Sequence, residues 1–438
     1  MVRQLLPISA LLLGTAFLFF AGGVNALILP VRGGAEGFSA FTLGLLGTGW
    51  AIGYVLGCIF TPKFVSNIGH IRAFSVVSAL AAIAILGSLV IMSPYAWIPL
   101  RALSGFCFAA AAMIIESWLG ERADASSRGR IFGIYTMINL LGTTLGQMVI
   151  PFGDTNSYLF FVVGAMFYCL ALVPTAVSSS ASPTPLSKVS LDLKGLWRNS
   201  PVAVFAVLMV GISNGSFGTL AAVYADQIGL VLTSVALFAS IPILTGALVQ
   251  IPVGYFSDRM DRRKVLLAIA LSAVVADVCF IAIAPESRLL NLMFVGFFGA
   301  AIFGMYPVIV AHANDHAPVG SAIQVSGGLL LIFGVGCIVG PLLSGVAMAQ
   351  FGTSGLFMTS LAAHVLIAAF TILRIMRSAP VDEADKVAFV ASPLARTTTP
   401  ETIAMQFEEG TNEEGLDGGQ SSHEEPKPDS DDLPHNKG

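Results

Sequence analysis

The sequence predicts an all-α membrane protein with about 12 transmembrane helices in two pseudo-symmetric six-helix bundles. Three observations predict it. Of 438 residues, 55% are hydrophobic and only 11% are charged, whereas a soluble chain carries roughly a quarter charged residues; with a mean hydropathy of +0.82, lipid is the solvent for most of the chain. Apolar runs of about twenty residues, the length that crosses a bilayer as a helix, recur between polar turns. The second half of the apolar region also echoes the first. Gly22-Gly23-Val24-Asn25 is answered by Gly211-Ile212-Ser213-Asn214, Gly57 by Gly254, and Gly142-x-x-x-Gly146 by Gly336-x-x-x-Gly340.

The runs place spans at 8–29, 41–61, 71–92, 95–118, 130–151 and 157–177, then at 201–222, 231–254, 265–284, 290–312, 321–345 and 355–376. The first follows Arg3 and imitates a secretory signal, but no small-residue cleavage site ends it, so it reads as a retained span. Residues 178–200 begin with three serines and hold Pro183 and Pro185, the composition of a flexible linker. The predicted organisation is a bundle over 1–177, this linker, a second bundle over 201–377, and a tail over 378–438.

Charge supplies orientation. Lys63, Arg72, Arg122, Arg128, Arg130, Arg259, Arg262, Arg263 and Lys264 fall in loops of one side, against Arg32 and Arg288 on the other. The positive-inside rule then puts both termini in the cytoplasm, and the expected location is a bacterial inner membrane. Residues 379–438 hold fourteen Asp/Glu and four Lys/Arg. Such a tail is expected to be disordered, either passive or able to bind a partner.

Other chemistry is poorly represented. The five cysteines each lie in an apolar run without a C-x-x-C pair and read as small buried hydrophobes. His312, Asn314, Asp315 and His316 have a helical histidine spacing, but Pro318 follows and no cysteine completes a metal set, so a solvated loop is expected. No phosphate-binding loop and no nucleophile–base pair stands out. No cofactor, metal, catalytic residue or nucleic-acid partner is predicted, and the chain does not read as an enzyme.

The stretch Gln250-Ile251-Pro252-Val253-Gly254-Tyr255-Phe256-Ser257-Asp258-Arg259-Met260-Asp261-Arg262-Arg263-Lys264 resembles the loop signature of the major facilitator superfamily, G-x-x-x-D-R-x-G-R-R, with Asp261 where the signature has its second glycine. The first-half copy is degraded: Gly57 is followed by Thr61, Pro62 and Lys63, then Gly69-His70-Ile71-Arg72. Arg101-x-x-x-Gly105 in span four is a further landmark. Closer similarity to a branch of bacterial permeases rests on Arg101–Phe106, Ile115–Trp118, Ser127–Arg130, Leu145–Gln147 and Met305–Val308. The resemblance implies the major facilitator fold and secondary transport of a small organic solute by alternating access, with a monomeric chain, and with proton-coupled uptake favoured. Some similar permeases are linked to riboflavin uptake. An exporter of drugs or metabolites is the alternative, weakened because Gly142-x-x-x-Gly146 is followed by Gln147 where proton-coupled exporters have proline. A transporter-like sensor acting through the tail is a third reading.

Candidate residues follow. Asn25 and Asn214 are amides in spans that this fold turns toward a central cavity, while Gln147, Gln250 and Gln324 either line it or join helices. Phe106, Phe108, Phe217 and Tyr306 offer aromatic faces, with Met113 beside them in span four. Arg101 is a costly intramembrane cation that either faces a cavity or snorkels outward. Glu116 lies near the cytoplasmic end of the same span, with Arg128 and Arg130 as expected partners. Asp258, Arg259 and Arg262 are expected to latch the cytoplasmic side against span five, through a helix N-terminus or the same arginines. Asp277 in span nine is an acid with no base opposite it in the sequence, read equally as a coupling group and as structural.

Overall fold

The computed structural model describes residues 9–122, 128–177, 192–283, 287–318, 321–377, 386–390 and 397–403. Twelve helices form the bundle. The first six are α1 (Ser9–Ala35), α2 (Ala40–Ile68), α3 (His70–Val90), α4 (Pro94–Arg122), α5 (Arg128–Met148) and α6 (Leu159–Leu170), the last continued by Leu172–Val177. The second six are α7 (Pro201–Gln227), α8 (Leu232–Arg259), α9 (Arg262–Val278), α10 (Arg288–Asp315), α11 (Ala322–Phe351) and α12 (Gly355–Ile375). Among the described residues, nine stretches are long and apolar enough to cross a membrane, and one of them, Ala322–Ile375, is the pair α11–α12. The more polar α5 and the interrupted α6 complete the twelve. Large apolar side chains such as Leu145, Leu248 and Ile251 point outward and exposed, as helices in lipid require.

Small residues set the register of helix packing, and they do so twice. A Cβ at Gly53 would overlap the carbonyl oxygen of Ala102, and one at Gly105 that of Trp50, so α2 and α4 run parallel in backbone contact. Gly246 against Phe303 and Gly299 against Pro242 align α8 with α10 in the same way. Gly23 and Gly146 join α1 to α5, and Gly211 and Gly340 join α7 to α11. The repeated glycines of the sequence are therefore the contact ridges of the two halves. Gly53→Val is expected to abolish the folded protein, read as loss of the monodisperse peak in fluorescence-detected size exclusion. Gly133→Ala, where an added Cβ meets nothing within 4 Å, should leave the peak intact.

Across the halves, α2 and α11 cross antiparallel. Gly44 meets Pro341, Thr48 Oγ1 donates to the Ile338 carbonyl at 2.8 Å, and Val55 meets Gly334. This seam closes the bundle at the beginning of α2, hereafter the far face. The opposite end, where α1 starts and α12 ends, is the terminal face.

Several expectations need correction. Within the predicted linker, Leu193–Asn199 is a helix capped by Asp192, whose Oδ1 accepts from the Gly195 N–H at 2.9 Å; its leucines pack at Gly328. Residues 178–191 lie outside the described residues. Within the predicted disordered tail, 386–390 and 397–403 are placed against the bundle, and Thr398, Thr399, Thr402 and Ile403 are buried. Apolar Val387–Val390 and the helix-start pattern Thr399-Pro400-Glu401-Thr402 are local departures from an acidic composition. Cys169 is exposed and Cys58 and Cys279 are half-buried, so not every cysteine is a core residue. His312 and Asn314 are buried and not solvated, because α10 continues to Asp315 before turning; among the described residues no group of three or more metal-ligating side chains forms.

The two halves turn at their second loops by different devices. Gly69 alone joins α2 to α3, with φ of 82°, a conformation open to glycine at little cost. In the second half Asp261, with φ of −56°, caps α9 by accepting from the Arg263 N–H at 3.0 Å. An aspartate N-cap with negative φ needs no glycine, which accounts for the departure from the family signature. Burial pushes the Asp261 carboxyl up, but hydrogen bonds and charge from Arg263 outweigh it and hold the group below the usual carboxylate range.

Candidate functional site

Polar and aromatic side chains from both halves converge on a central cavity of about 130 Å³. The first half contributes Asn25, Trp50, Arg101, Phe108, Gln147 and Tyr168; the second contributes Asn214, Phe217 and Phe303; Thr397 of the C-terminal segment completes the wall. The cavity is therefore an inter-half site at mid-bundle, where a rocking transporter would hold its solute.

Local sequence explains the inward faces. Arg101 and Phe108 are seven residues apart on α4, about two helical turns, so they share a face. Gly22 leaves room for the Phe108 ring against α1, where a Cβ would lie 2.7 Å from the ring edge. Arg101 is 7% exposed and is the one charged side chain among the described lining residues. It faces the cavity and does not snorkel to the interface. The Asn25 amide nitrogen donates to Ser104 Oγ at 2.9 Å. Asn214 is buried and neither its Nδ2 nor its Oδ1 has a hydrogen-bond partner. An amide left this way costs about 1–3 kcal/mol per unsatisfied group, so the position is one that a bound solute or water would complete. Gln147 Oε1 accepts from Ser240 Oγ at 2.7 Å, joining α5 to α8 across the halves.

Four of the predicted substrate-binding residues, Asn25, Arg101, Asn214 and Phe217, line this cavity. Phe106, Met113 and Tyr306 do not. On α4, Phe106 is rotated from Arg101 by about 140° and Met113 by about 120°; the backbone of Phe106 meets Gly57, and Met113 is buried in the core. Tyr306 packs edge-on against Phe333 with centroids 5.3 Å apart. Trp50, Tyr168 and Phe303 were not singled out in the sequence; intramembrane Trp and Tyr were the available signal, and Phe303 had none among thirty phenylalanines.

The predicted coupling residues also take unforeseen partners. Asp277 is fully buried, and its Oδ2 lies 2.6 Å from Nδ1 of His364 on α12. Asp277 Oδ1 and His364 Nε2 have no hydrogen-bond partner. The expectation of an acid without a base is corrected: packing of α9 on α12 brings together residues 87 apart in sequence. Just beyond Asp277, Cys279–Ile283 form a π-turn, a local irregularity frequent at functional sites. Among the described residues, Glu116 takes partners other than the expected arginines. Its carboxylate accepts from Tyr135 at 2.6 Å, Thr402 at 2.7 Å and Thr399, because the C-terminal segment occupies the space beside it. Arg130 is exposed, and the side chain of Arg128 lies outside the described residues. Arg259 is exposed and stacks on Tyr255, 3.8 Å from the ring centroid, so it is a surface cation. Arg262 is the hub: Nε donates to Asp315 at 2.6 Å, and Nη1 to Ser257 at 2.9 Å and Asp258 at 3.2 Å.

The sequence matches the Major Facilitator Superfamily over residues 11–248 and 203–403. The chain belongs to the Major Facilitator Superfamily. It is 26% identical over 355 residues to the uncharacterized MFS-type transporter YcaD of Salmonella heidelberg, covering 80% of this chain and 91% of that one. Against the protein of Salmonella typhi the identity is 25% over the same length. Among solved structures, the nucleoside transporter NupG superposes with a TM-score of 0.73 at 14% identity, covering 85% of this chain and all of that one. A bacterial homologue of the human lysosomal transporter Spinster, inward-facing and occupied, gives 0.69 at 16% identity, with 88% and 98% covered. At these identities the structures share the fold. This protein is a multi-pass membrane transporter, and its family and fold are those of Major Facilitator Superfamily transporters.

Proposed function

We propose that this transporter carries a small, flat, neutral or weakly anionic heterocycle bearing hydroxyl groups, by proton-coupled uptake across a bacterial inner membrane. The observation that carries the reading is the make-up of the cavity. Trp50, Phe108, Tyr168, Phe217 and Phe303 supply aromatic faces, Asn214 supplies an unpartnered amide, and the one charge among the described lining residues is the Arg101 cation. Aromatic faces stack on planar rings, an amide donates to and accepts from ring and hydroxyl groups, and a cation without a carboxylate in the wall rejects cationic solutes. A flavin such as riboflavin and a nucleoside both fit this chemistry; the fold likeness to a nucleoside transporter favours testing the second as well. Positive-inside charge puts both termini and the terminal face in the cytoplasm. The Asp277–His364 pair is the proposed proton carrier.

Proteoliposomes with an imposed pH gradient test the reading. Uptake of labelled uridine or riboflavin that saturates and collapses with an uncoupler is the expected result. Transport of organic cations alone, with neither of those solutes moved, would overturn it and favour the exporter reading.

A further inference from the structure

The C-terminal segment meets both halves at the terminal face, and each half spends polar groups on it. On the second half, Lys386 Nζ donates to the carbonyls of Met260 at 2.9 Å and Asp258 at 3.3 Å. The Val387 N–H donates to Asp315 Oδ1 at 3.0 Å, and the Phe389 N–H to Asp258 Oδ1 at 3.1 Å. Arg262 Nη2 donates to the Val387 carbonyl. The Phe389 ring lies over Gly254, where a Cβ would come within 2.6 Å of it.

On the first half, Tyr54 Oη donates to the Thr398 carbonyl at 3.0 Å and Asn139 Nδ2 to Thr397 Oγ1 at 3.4 Å. Thr399 and Thr402 both donate to Glu116. These two threonines also hold each other in a reciprocal cap, with the Thr399 N–H to Thr402 Oγ1 at 3.0 Å and the Thr402 N–H to Thr399 Oγ1 at 3.3 Å. Thr397 forms part of the cavity wall.

We propose that Tyr54, Glu116, Asn139, Gly254, Asp258 and Arg262 form an intramolecular peptide site whose ligands are residues 386–390 and 397–403, and that the seated segment inhibits transport. The inference rests on the alternating-access reading. For the far face to open, the halves must close together at the terminal face; a peptide clamped between them blocks that closure and walls the cavity. The fit is specific on both sides. Glu116 is fully buried, and its acceptor atoms are met by hydroxyl donors, as a buried carboxylate requires. Gly254 admits an aromatic ring that a larger residue would exclude. Covalent attachment to α12 keeps the local concentration of the segment high, while hydrogen bonds worth about 1.5–3 kcal/mol each at most, even where one partner is charged, leave it able to depart. Once it leaves, Glu116 and Tyr54 face the vestibule.

The test reads alternation without any solute, so its failure is distinct from failure of the proposed substrate class. In a cysteine-free background, Thr48→Cys is half-buried in the far-face seam, against the Ile338 carbonyl, and a membrane-impermeant maleimide labels it faster when that seam opens. Truncation after Arg377 is expected to raise the labelling rate by about threefold or more, the gain if the seated form exceeds about two-thirds of the molecules. The double substitution Thr399→Val with Thr402→Val should change the rate in the same direction. A synthetic peptide of residues 386–403 added to the truncated protein should slow labelling again, which a merely loosened fold would not do. An unchanged or slower rate after truncation, or no effect of the peptide, would overturn the proposal.

Discussion

Arg101→Met is expected to abolish concentrative uptake while leaving the amount of folded protein unchanged. Methionine keeps much of the length and apolar volume of the side chain and removes the one cation among the described residues that line the cavity. Hydrogen bonds to a charged group are worth about 1.5–3 kcal/mol each, so loss of one such contact weakens solute binding by about 10- to 100-fold. Arg101→Lys keeps the charge but loses the planar fork and should fall between. Quenching of Trp50 fluorescence by solute, titrated in both variants, separates binding from translocation. Tight binding by Arg101→Met would place the arginine outside the solute contacts and return it to a packing role.

The second large effect is expected at the buried pair of α9 and α12. Asp277→Asn should lose accumulation driven by a pH gradient while solute exchange across the membrane persists. Asn is isosteric and its oxygen can still accept from His364, so the fold is retained, but it cannot take up a proton. Asp277 and His364 lie 2.6 Å apart with no exposure of either side chain, close enough for one proton to be held by either member. His364→Leu should be worse for the fold, because removing one partner of a buried pair typically costs about 3–5 kcal/mol. It is expected to show as reduced yield and a lower melting temperature. Concentrative uptake by Asp277→Asn at the normal level would assign the pair to structure.

These two expectations differ in how far they could be read from the chain. Arg101 stood out because an arginine within an apolar span is costly wherever it points, and Asn25 and Asn214 stood out because they recur at matching places in the two halves. Phe106 and Phe108 both offer aromatic faces in the sequence, but only Phe108 lines the cavity, and the sequence lacks the phase that separates them. Composition gives the number of aromatic residues in a span, but only the rotation of α4, fixed by Gly53 and Gly105 against α2, decides which of them faces inward.

The sequence by itself determined that about twelve spans fall in two similar halves, and the family, because each depends on local hydropathy, on a motif or on a repeat within the chain. Tertiary structure alone decided who partners whom. His364 reaches Asp277 across 87 residues, and Thr399 reaches Glu116 across 283. No periodic pattern carries such pairings; they arise from the register in which helices pack. The same reason hid the tail. Its average charge argues for disorder, yet at 386–390 and 397–403 a few apolar and hydroxyl side chains suffice to seat the chain where the packed bundle presents a matching carboxylate, guanidinium and glycine gap.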